Sequence, residues 1–370
     1  MKQLLAPLIV IVIIVIGFIG GYLYYSNAAK PSTATITKTV TITNIVTHHH
    51  TVTQHTHQSI MTVTETIETT KLFTFYTTYT ETLTKTLVDT LIKFTTITAS
   101  PEIKLSYPLR SSTELDVNGD NTVDAFVEIN PWNMKSYKGT QQILIDLIRR
   151  IIKAEFNLTD IQPVEWVNGY PEVYIGRKPW GRRYANGFGV KFPMKISEMT
   201  PFVISFHICI EDIEPSMNFN IAADAWLVRP SVANNPGTSP GNGDVEIMVW
   251  IYRQNLNPAG RKVGEEIVPI VVNGSRVDII FEVWREDSVS WGGWQYIAFV
   301  PKEINIKCGH VAYDPTVFVN ITTRYSTFDI STHYLLGWEI GTEWGTTSSN
   351  GIARFVWILR DFTVLTSVRI

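Results

Sequence analysis

Two glutamates stand inside segments that otherwise have the pattern of buried β-strands. Glu246 lies in the run 244–250 (DVEIMVW), and Glu343 lies in the run 338–345 (WEIGTEWG). Burying a carboxylate in such a run costs folding free energy, so it is expected there only if it has a partner or a function. Sugars lie on flat aromatic rings and need polar partners for their hydroxyls. Two glutamates, each near tryptophan, therefore indicate a carbohydrate site with the carboxylate pair that cleaves glycosidic bonds.

The twofold alternation of side chains along a strand sharpens this interpretation. Glu246, Met248 and Trp250 share one face of their strand, and the residues between them form an apolar face. In the second segment Glu339 shares a face with Glu343 if the strand is unbroken. Glu339 is thus a competitor for an acid role, but we expect it to be a structural or supporting residue.

These segments resemble the two catalytic strands of glycoside hydrolase family 12, the compact endo-β-1,4-glucanases. The motif EIMVW at 246–250 and the motif GTE at 341–343 carry the resemblance, which covers roughly residues 105–370. GTE alone is a weak signal, but three further segments match in the family order: 130–133 (NPWN), 169–180 (GYPEVYIGRKPW) and 224–227 (DAWL).

The resemblance implies a role for each matching residue. Glu246 would be the nucleophile, Glu343 the general acid and then the general base, and Asp224 the residue that supports the nucleophile. The family retains anomeric configuration, which requires the two carboxyl groups to lie only about 5–5.5 Å apart. Glu246 should then be ionised, and Glu343 should be protonated, with its pKa raised by burial and by the nearby negative charge.

The same resemblance suggests a set of substrate-binding residues, and it implies no metal or organic cofactor. The aromatic members of the set could instead be core residues. The predicted set is Asn130, Trp132, Tyr170, Trp180, Met248, Trp250 and Trp344.

The pattern from residue 101 onward predicts an all-β fold. Short apolar runs rich in Val, Ile, Trp and Tyr recur between Gly, Asn and Pro, which is typical of an antiparallel β-sandwich. The resemblance implies a concanavalin-like β-jelly roll with a long concave substrate cleft. Residues 142–157 have helix-like apolar offsets, but we expect strands there because of their place in the family order. Residues 116–124 partly resemble a calcium loop, and we expect a plain turn.

Two further segments precede this domain. Residues 1–29 contain an uncharged apolar run long enough to span a membrane, and we expect a transmembrane anchor or a signal peptide. Residues 30–100 are rich in threonine and include five clustered histidines; we expect a glycosylated low-complexity stalk, with an oligomeric stalk as an alternative. The catalytic domain, residues 101–370, would then face outward, where Cys209 and Cys308 could form a disulfide.

The net charge of −3 does not suggest nucleic acid as a partner. The sequence therefore predicts an extracellular endo-β-1,4-glucanase, anchored or secreted, with a monomeric catalytic domain and a β-glucan as its substrate. Xyloglucan, mixed-linkage glucan and xylan stay open as alternative substrates. A non-catalytic glycan-binding protein is the alternative from another functional class.

Overall fold

The computed structural model describes residues 102–117 and 119–366, together with the backbone of four strands in the threonine-rich segment. Contacts divide the chain into two units, Met1–Ala99 and Ser100–Ile370. In the first unit, β1 (Val40–Thr43), β2 (His49–His55), β3 (Ile60–Glu65) and β4 (Lys71–Tyr76) pair antiparallel in sequence order. The predicted membrane segment, residues 1–29, lies outside the described residues, among which no helix is long and apolar enough to cross a membrane.

Strands make up almost all of the regular secondary structure described in the second unit, which confirms the predicted fold class. Its helices are α1 (Pro230–Ala233) and α2 (Pro315–Tyr325), with one 3₁₀ turn, Ile196–Glu198. Its strands are β5 (Ile103–Ser106), β6 (Ser112–Leu115), β7 (Ala125–Glu128), β8 (Ser136–Asp146), β9 (Ile151–Gln162), β10 (Glu165–Gly169), β11 (Glu172–Gly176), β12 (Met194–Lys195), β13 (Val203–Ile213), β14 (Asn218–Val228), β15 (Val245–Gln254), β16 (Arg261–Val272), β17 (Ser275–Glu286), β18 (Gln295–Pro301), β19 (Cys308–Tyr313), β20 (Tyr334–Leu335), β21 (Gly337–Gly341), β22 (Trp344–Thr346) and β23 (Ala353–Leu365).

These nineteen strands form one hydrogen-bonded sheet with two arms. The first arm runs in the order β6, β7, β11, β21, β14, β15, β18 and β17. The second arm runs in the order β5, β8, β9, β23, β13, β19 and β16. The hairpin of β16 and β17 joins the arms. All these pairings are antiparallel except that of β15 with β18, which is parallel.

The main hydrophobic core lies between the two arms. Phe219 of β14 meets Phe355 of β23 with their ring centroids 5.2 Å apart, and Phe355 also stacks on Phe156 of β9. Because alternate residues of a strand point to opposite faces, one face of β14 and β15 faces this core. The other face of these two strands is left for polar and aromatic side chains.

Residues 142–157 are strands, as expected. They form the ends of β8 and β9, joined by a turn at 147–150. Ile143, Ile145, Ile152 and Ala154 are buried in the core at twofold spacing on each strand. The helix-like offsets arise because the turn lies between two alternating patterns.

The predicted turn after Leu115 is also present. The carboxylate of Asp116 accepts hydrogen bonds from the backbone N–H groups of Gly119, Asp120 and Asn121. Both of its oxygens are therefore used to close the turn.

Cys209 and Cys308 form a disulfide between directly opposed positions of β13 and β19. Both strands belong to the second arm. The pairing that the sequence left open is thus resolved by strand register.

Candidate active site

Five strands of the first arm bring carboxylates to one face of the sheet, which we call the site face. On β14 this face carries Asn220, Ala222, Asp224 and Trp226, while Phe219, Ile221, Ala223 and Ala225 point into the core. Register then sets the neighbours: Glu246 of β15 lies opposite Trp226, and Glu339 of β21 lies opposite Asp224.

Glu246 is partly exposed and has a dedicated hydrogen-bond donor. The indole Nε1 of Trp294 donates to Glu246 Oε2 over 2.6 Å. Trp294 also packs edge-on against Trp226, and Trp226 packs edge-on against Trp180, with centroids 5.0 Å and 5.6 Å apart. Three tryptophans therefore form a row that ends at Glu246.

Glu343 is partly exposed and is held by Asn220. Asn220 Nδ2 donates to Glu343 Oε2 over 2.6 Å, and the backbone N–H of Glu343 donates to Asn220 Oδ1 over 2.8 Å. The backbone N–H of Asn220 donates to Glu343 O over 3.0 Å. Strand β21 ends at Gly341, so these bonds to β14 fix Glu343 beyond the end of its own strand.

The two glutamates interact electrically, and both hold protons more tightly than a free carboxyl. Burial raises the pKa of Glu246 to about 8; the bond from Trp294 opposes this rise, and the charge of Glu343 adds to it. Burial raises the pKa of Glu343 to about 7, against the bond from Asn220. This order is the reverse of the sequence-based expectation, because burial acts on both groups and only Glu246 is markedly affected by its partner's charge.

Asp224 lies between the carboxylates of the neighbouring strands. Burial and then the charge of Glu246 raise the pKa of Asp224 well above its usual range. Burial also raises the pKa of Glu339 to about 7, opposed by a hydrogen bond with Glu172. Glu339 points toward Glu172 and Asp224, as a supporting residue would.

Gly341 is needed for the close packing of β21 against the segment around Tyr170. A methyl group at Gly341 would lie 2.6 Å from Pro171 O, 2.8 Å from Glu172 Cβ and 2.9 Å from Tyr170 Cζ. The glycine that precedes Thr342 and Glu343 therefore allows the backbone approach that places Glu343.

Four of the predicted substrate residues form one cluster on the site face. Tyr170, Met248 and Trp250 are buried in it, and Trp132 packs against it while remaining partly exposed. Tyr170 donates its hydroxyl to Ala222 O over 2.8 Å. Trp132 and not the buried Trp250 thus offers ring surface to a ligand.

Asn130 and Trp180 lie elsewhere on this face. Asn130 donates from Nδ2 to Glu172 Oε1 over 2.9 Å. Trp180 is 47% exposed at the outer end of the tryptophan row. Both positions are compatible with contact to a long ligand.

Trp344 does not lie on the site face. Its side chain is fully buried in the core, where it contacts Phe156 and Phe355. It follows Glu343 directly, so in extended backbone it points to the opposite side. The prediction that Trp344 contacts substrate is therefore wrong: the residue is part of the core.

Sequence reasoning missed three residues of this site: Trp294, Asn220 and Lys178. Lys178 is buried and donates to Glu128 and Glu172. Asn220 could have been found from its twofold spacing to Asp224, and Lys178 from its place in the 169–180 segment. Trp294 lies in the Gly-rich loop before β18, and its sequence context carries no comparable signal.

Comparison with known proteins gives the site a family context. The sequence profile of glycosyl hydrolase family 12 matches residues 124–365. No relative was found among curated proteins.

Solved structures share this fold. A family 12 xyloglucanase from Bacillus licheniformis is 19% identical, with 71% of this chain and 99% of that chain covered and a TM-score of 0.53. The endoglucanase cel12A from Rhodothermus marinus is 20% identical, with 71% and 98% covered and a TM-score of 0.50. A metagenome-derived family 12 endoglucanase is 21% identical, with 73% and 100% covered and a TM-score of 0.50.

Proposed function

The chain belongs to glycoside hydrolase family 12, and from this premise we propose that it is an extracellular endo-β-1,4-glucanase that retains anomeric configuration. In this proposal Glu246 is the nucleophile, Glu343 is the acid/base and Asp224 supports Glu246. The observation that carries the proposal is the pair of partly buried, electrically coupled glutamates on the site face, each held by its own donor.

The reaction would proceed in two displacements. Glu246 attacks the anomeric carbon while Glu343 donates its proton to the leaving oxygen, which forms a glycosyl-enzyme ester. Glu343 then removes a proton from the water that attacks the ester, and Glu246 leaves as a carboxylate. The first step needs the proton on Glu343 and the charge on Glu246. Trp294 favours that charge, since its N–H donates to the ionised form.

Asp224 would favour attack in a different way from Trp294. Its raised pKa keeps Asp224 protonated over a wide pH range, because burial and the charge of Glu246 disfavour a second carboxylate. A neutral Asp224 adds no repulsion to the ionised nucleophile, so the negative charge in this part of the site stays on Glu246.

The aromatic residues support a polysaccharide substrate. Trp180, Trp226 and Trp294 form a row that ends at Glu246, and Trp132 adds a partly exposed ring on the same face. Trp180 and Trp132 offer apolar area for sugar rings on an exposed sheet face, which suits attack within a chain.

Cellulose-like β-glucan is our first candidate for the substrate, and xyloglucan is the second. The similarity to an endoglucanase and to a xyloglucanase supports both. Mixed-linkage glucan and xylan share the backbone chemistry and belong in the same substrate panel. The catalytic pair does not discriminate among these glycans, because all of them present an equatorial glycosidic bond.

We also propose that the domain acts outside the cell. The apolar segment 1–29 supports an anchor or a signal peptide, and the threonine-rich segment 30–100 would separate the enzyme from the membrane. The disulfide between Cys209 and Cys308 is compatible with an oxidising environment. We propose that the catalytic domain acts as a monomer.

The test is reducing-end release from soluble carboxymethyl-cellulose and from xyloglucan by the full chain. We expect activity in the wild type and a loss of at least ~1,000-fold in Glu246→Gln and in Glu343→Gln, because each removes one half of the acid–nucleophile pair. Glu198→Gln, a change of the same type at an exposed carboxylate, is the control. A folded wild type that is inactive on every β-glucan of the panel would contradict the proposal.

A further inference from the structure

Lys178 is an ammonium group buried among carboxylates. Its side chain is 2% exposed, and it donates to Glu128 Oε2 over 3.0 Å and to the fully buried Glu172. Its Nζ also lies 5.1 Å from the centroid of the Tyr174 ring. A buried charge of this kind is retained only with close partners, since its desolvation costs several kcal/mol.

The partners of Lys178 continue across the sheet toward the nucleophile. Glu172 of β11 lies opposite Glu128 of β7, and it shares a hydrogen bond with Glu339 of β21. Glu339 lies opposite Asp224 of β14, and Asp224 interacts with Glu246. The sheet therefore carries a row of five carboxyl groups with Lys178 at one end and Glu246 at the other.

We propose that Lys178 is a positioning residue of this site, whose buried positive charge sets the charge of the carboxyl row that leads to Glu246. This rests on the proposed function of Glu246. Lys178 does not touch the reacting atoms in this arrangement; it acts through Glu172, Glu339 and Asp224.

The charges along the row support this role. The positive charge of Lys178 lowers the pKa of Glu172, Glu339 and Asp224, while burial raises each of them. In the opposite direction, Glu128 raises the pKa of Glu172 and Glu339. Besides Lys178 and the five carboxyl groups themselves, the titratable groups that face the row from the packed strands and loops are Tyr170, Tyr174, Tyr296 and Glu343.

Removing the positive charge of Lys178 and removing the negative charge of Glu128 should have opposite effects on the carboxyl pKa values of the row. Lys178→Met removes the cation, so the pKa values of Glu172, Glu339 and Asp224 rise and the pH profile of kcat/KM moves to higher pH. Glu128→Gln removes a carboxylate that is only partly buried, so the pKa values of Glu172 and Glu339 fall and the profile moves to lower pH. A directly adjacent charge shifts a carboxyl pKa by ~1–3 pH units. We expect smaller shifts of the kcat/KM profile, about half a pH unit, because Lys178 acts on Glu246 only through Glu172, Glu339 and Asp224.

Stability gives a readout that needs no activity. With the cation gone, the folded-state pKa values of Glu172, Glu339 and Asp224 rise further above their unfolded values. The loss of Tm in Lys178→Met should therefore be smallest at low pH and should grow as pH rises through the carboxyl range. In Glu128→Gln the loss of Tm should not grow with pH.

Two variants separate charge from packing. Lys178→Arg keeps the cation and should keep the wild-type pH profile. Arg177→Met removes the neighbouring buried cation, whose guanidinium donates to backbone carbonyls, among them Pro179 O and Ala233 O. It should lower Tm at every pH and leave the pH optimum in place.

The experiment is the pH dependence of kcat/KM and of Tm for these four full-length variants. Opposite shifts for Lys178→Met and Glu128→Gln support the proposal; wild-type profiles in both overturn it. Should Lys178→Met fail to fold, Glu128→Gln alone decides: a kcat/KM profile moved to lower pH supports the proposal, and a wild-type profile overturns it. If the wild type hydrolyses no glucan, the proposed function fails, and the Tm series still tests the charge row.

Discussion

At the scale of single residues, each of the two glutamates of the candidate site has its own side-chain hydrogen-bond donor. Trp294 donates to Glu246, and Asn220 donates to Glu343. The carboxylates could be predicted because each lies in a short local motif. The donors could not, because Trp294 is 48 positions from Glu246 and Asn220 is 123 positions from Glu343. Such contacts are set by strand register, which local patterns leave open.

Trp294→Phe removes the donor to Glu246 and keeps most of the ring. The bond favours the charged carboxylate, so its loss raises the pKa of Glu246, which is the higher of the two, and the alkaline limb of the kcat/KM profile should move to higher pH. We expect kcat/KM to fall about 10- to 100-fold, the equivalent of one hydrogen bond to a charged group. Trp284→Phe removes a similar indole donor, to Glu282, and is the control. An unchanged alkaline limb would contradict this role.

Asn220→Ala removes the amide that holds Glu343. The pKa of Glu343, which is the lower of the two, should rise, because Asn220 donates to its ionised form, so the acidic limb of the profile should move to higher pH. The rate should fall about 10- to 100-fold, since the acid is no longer held in place. Pre-steady-state and pH-rate measurements on a soluble glucan test this. Asn218→Ala, on the same strand, should leave the acidic limb in place.

At the scale of strands, twofold alternation predicted correctly which side chains of β15 face the core. Residues 142–157 were predicted as strands only from their place in the family order, because their apolar offsets are helix-like until the turn at 147–150 divides the pattern. Alternation likewise puts Trp344 opposite Glu343, yet the family resemblance suggested a substrate contact for Trp344. The break of β21 after Gly341 was not visible in the sequence, because glycine is common in strands that pack closely.

Trp344→Ala tests whether Trp344 is a core residue. We expect a loss of about 3–5 kcal/mol in the free energy of unfolding, because the change empties a large fully buried site. Among molecules that remain folded, KM should be close to the wild-type value. Urea unfolding and steady-state kinetics measure the two quantities. Trp132→Ala should behave in the opposite manner, with a raised KM and a smaller loss of stability; a large KM effect for Trp344→Ala alone would contradict its placement.

At the scale of the whole molecule, the two arms of the sheet have different structural roles. The first arm carries the site face, and the second arm closes the core behind it. The all-β class was predictable from the spacing of apolar runs, but the order of strands was not. Neighbours such as β14 and β21 are more than 100 residues apart in the chain, and their pairing depends on the core that both arms build together.

The disulfide of the second arm should stabilise the fold without affecting catalysis. Its cysteines are 99 positions apart, so the bond closes a long loop in the unfolded chain. The double variant Cys209→Ser/Cys308→Ser should lose about 2–4 kcal/mol in urea unfolding under oxidising conditions. Its kcat/KM should stay within about twofold of the wild type, because neither cysteine contacts the site face. A collapse of activity in folded protein would show that the arms are coupled.

Identification of the covalent intermediate is the decisive test of Glu246 as the nucleophile. A 2-deoxy-2-fluoro cello-oligosaccharide with a good leaving group slows the second displacement, so the glycosyl-enzyme accumulates and peptide mapping by mass spectrometry locates the ester. We predict one label, on Glu246, and no label in Glu246→Gln. A label on Glu343 or Glu339, or turnover of the substrate with no covalent intermediate, would contradict the assignment of Glu246 as the nucleophile.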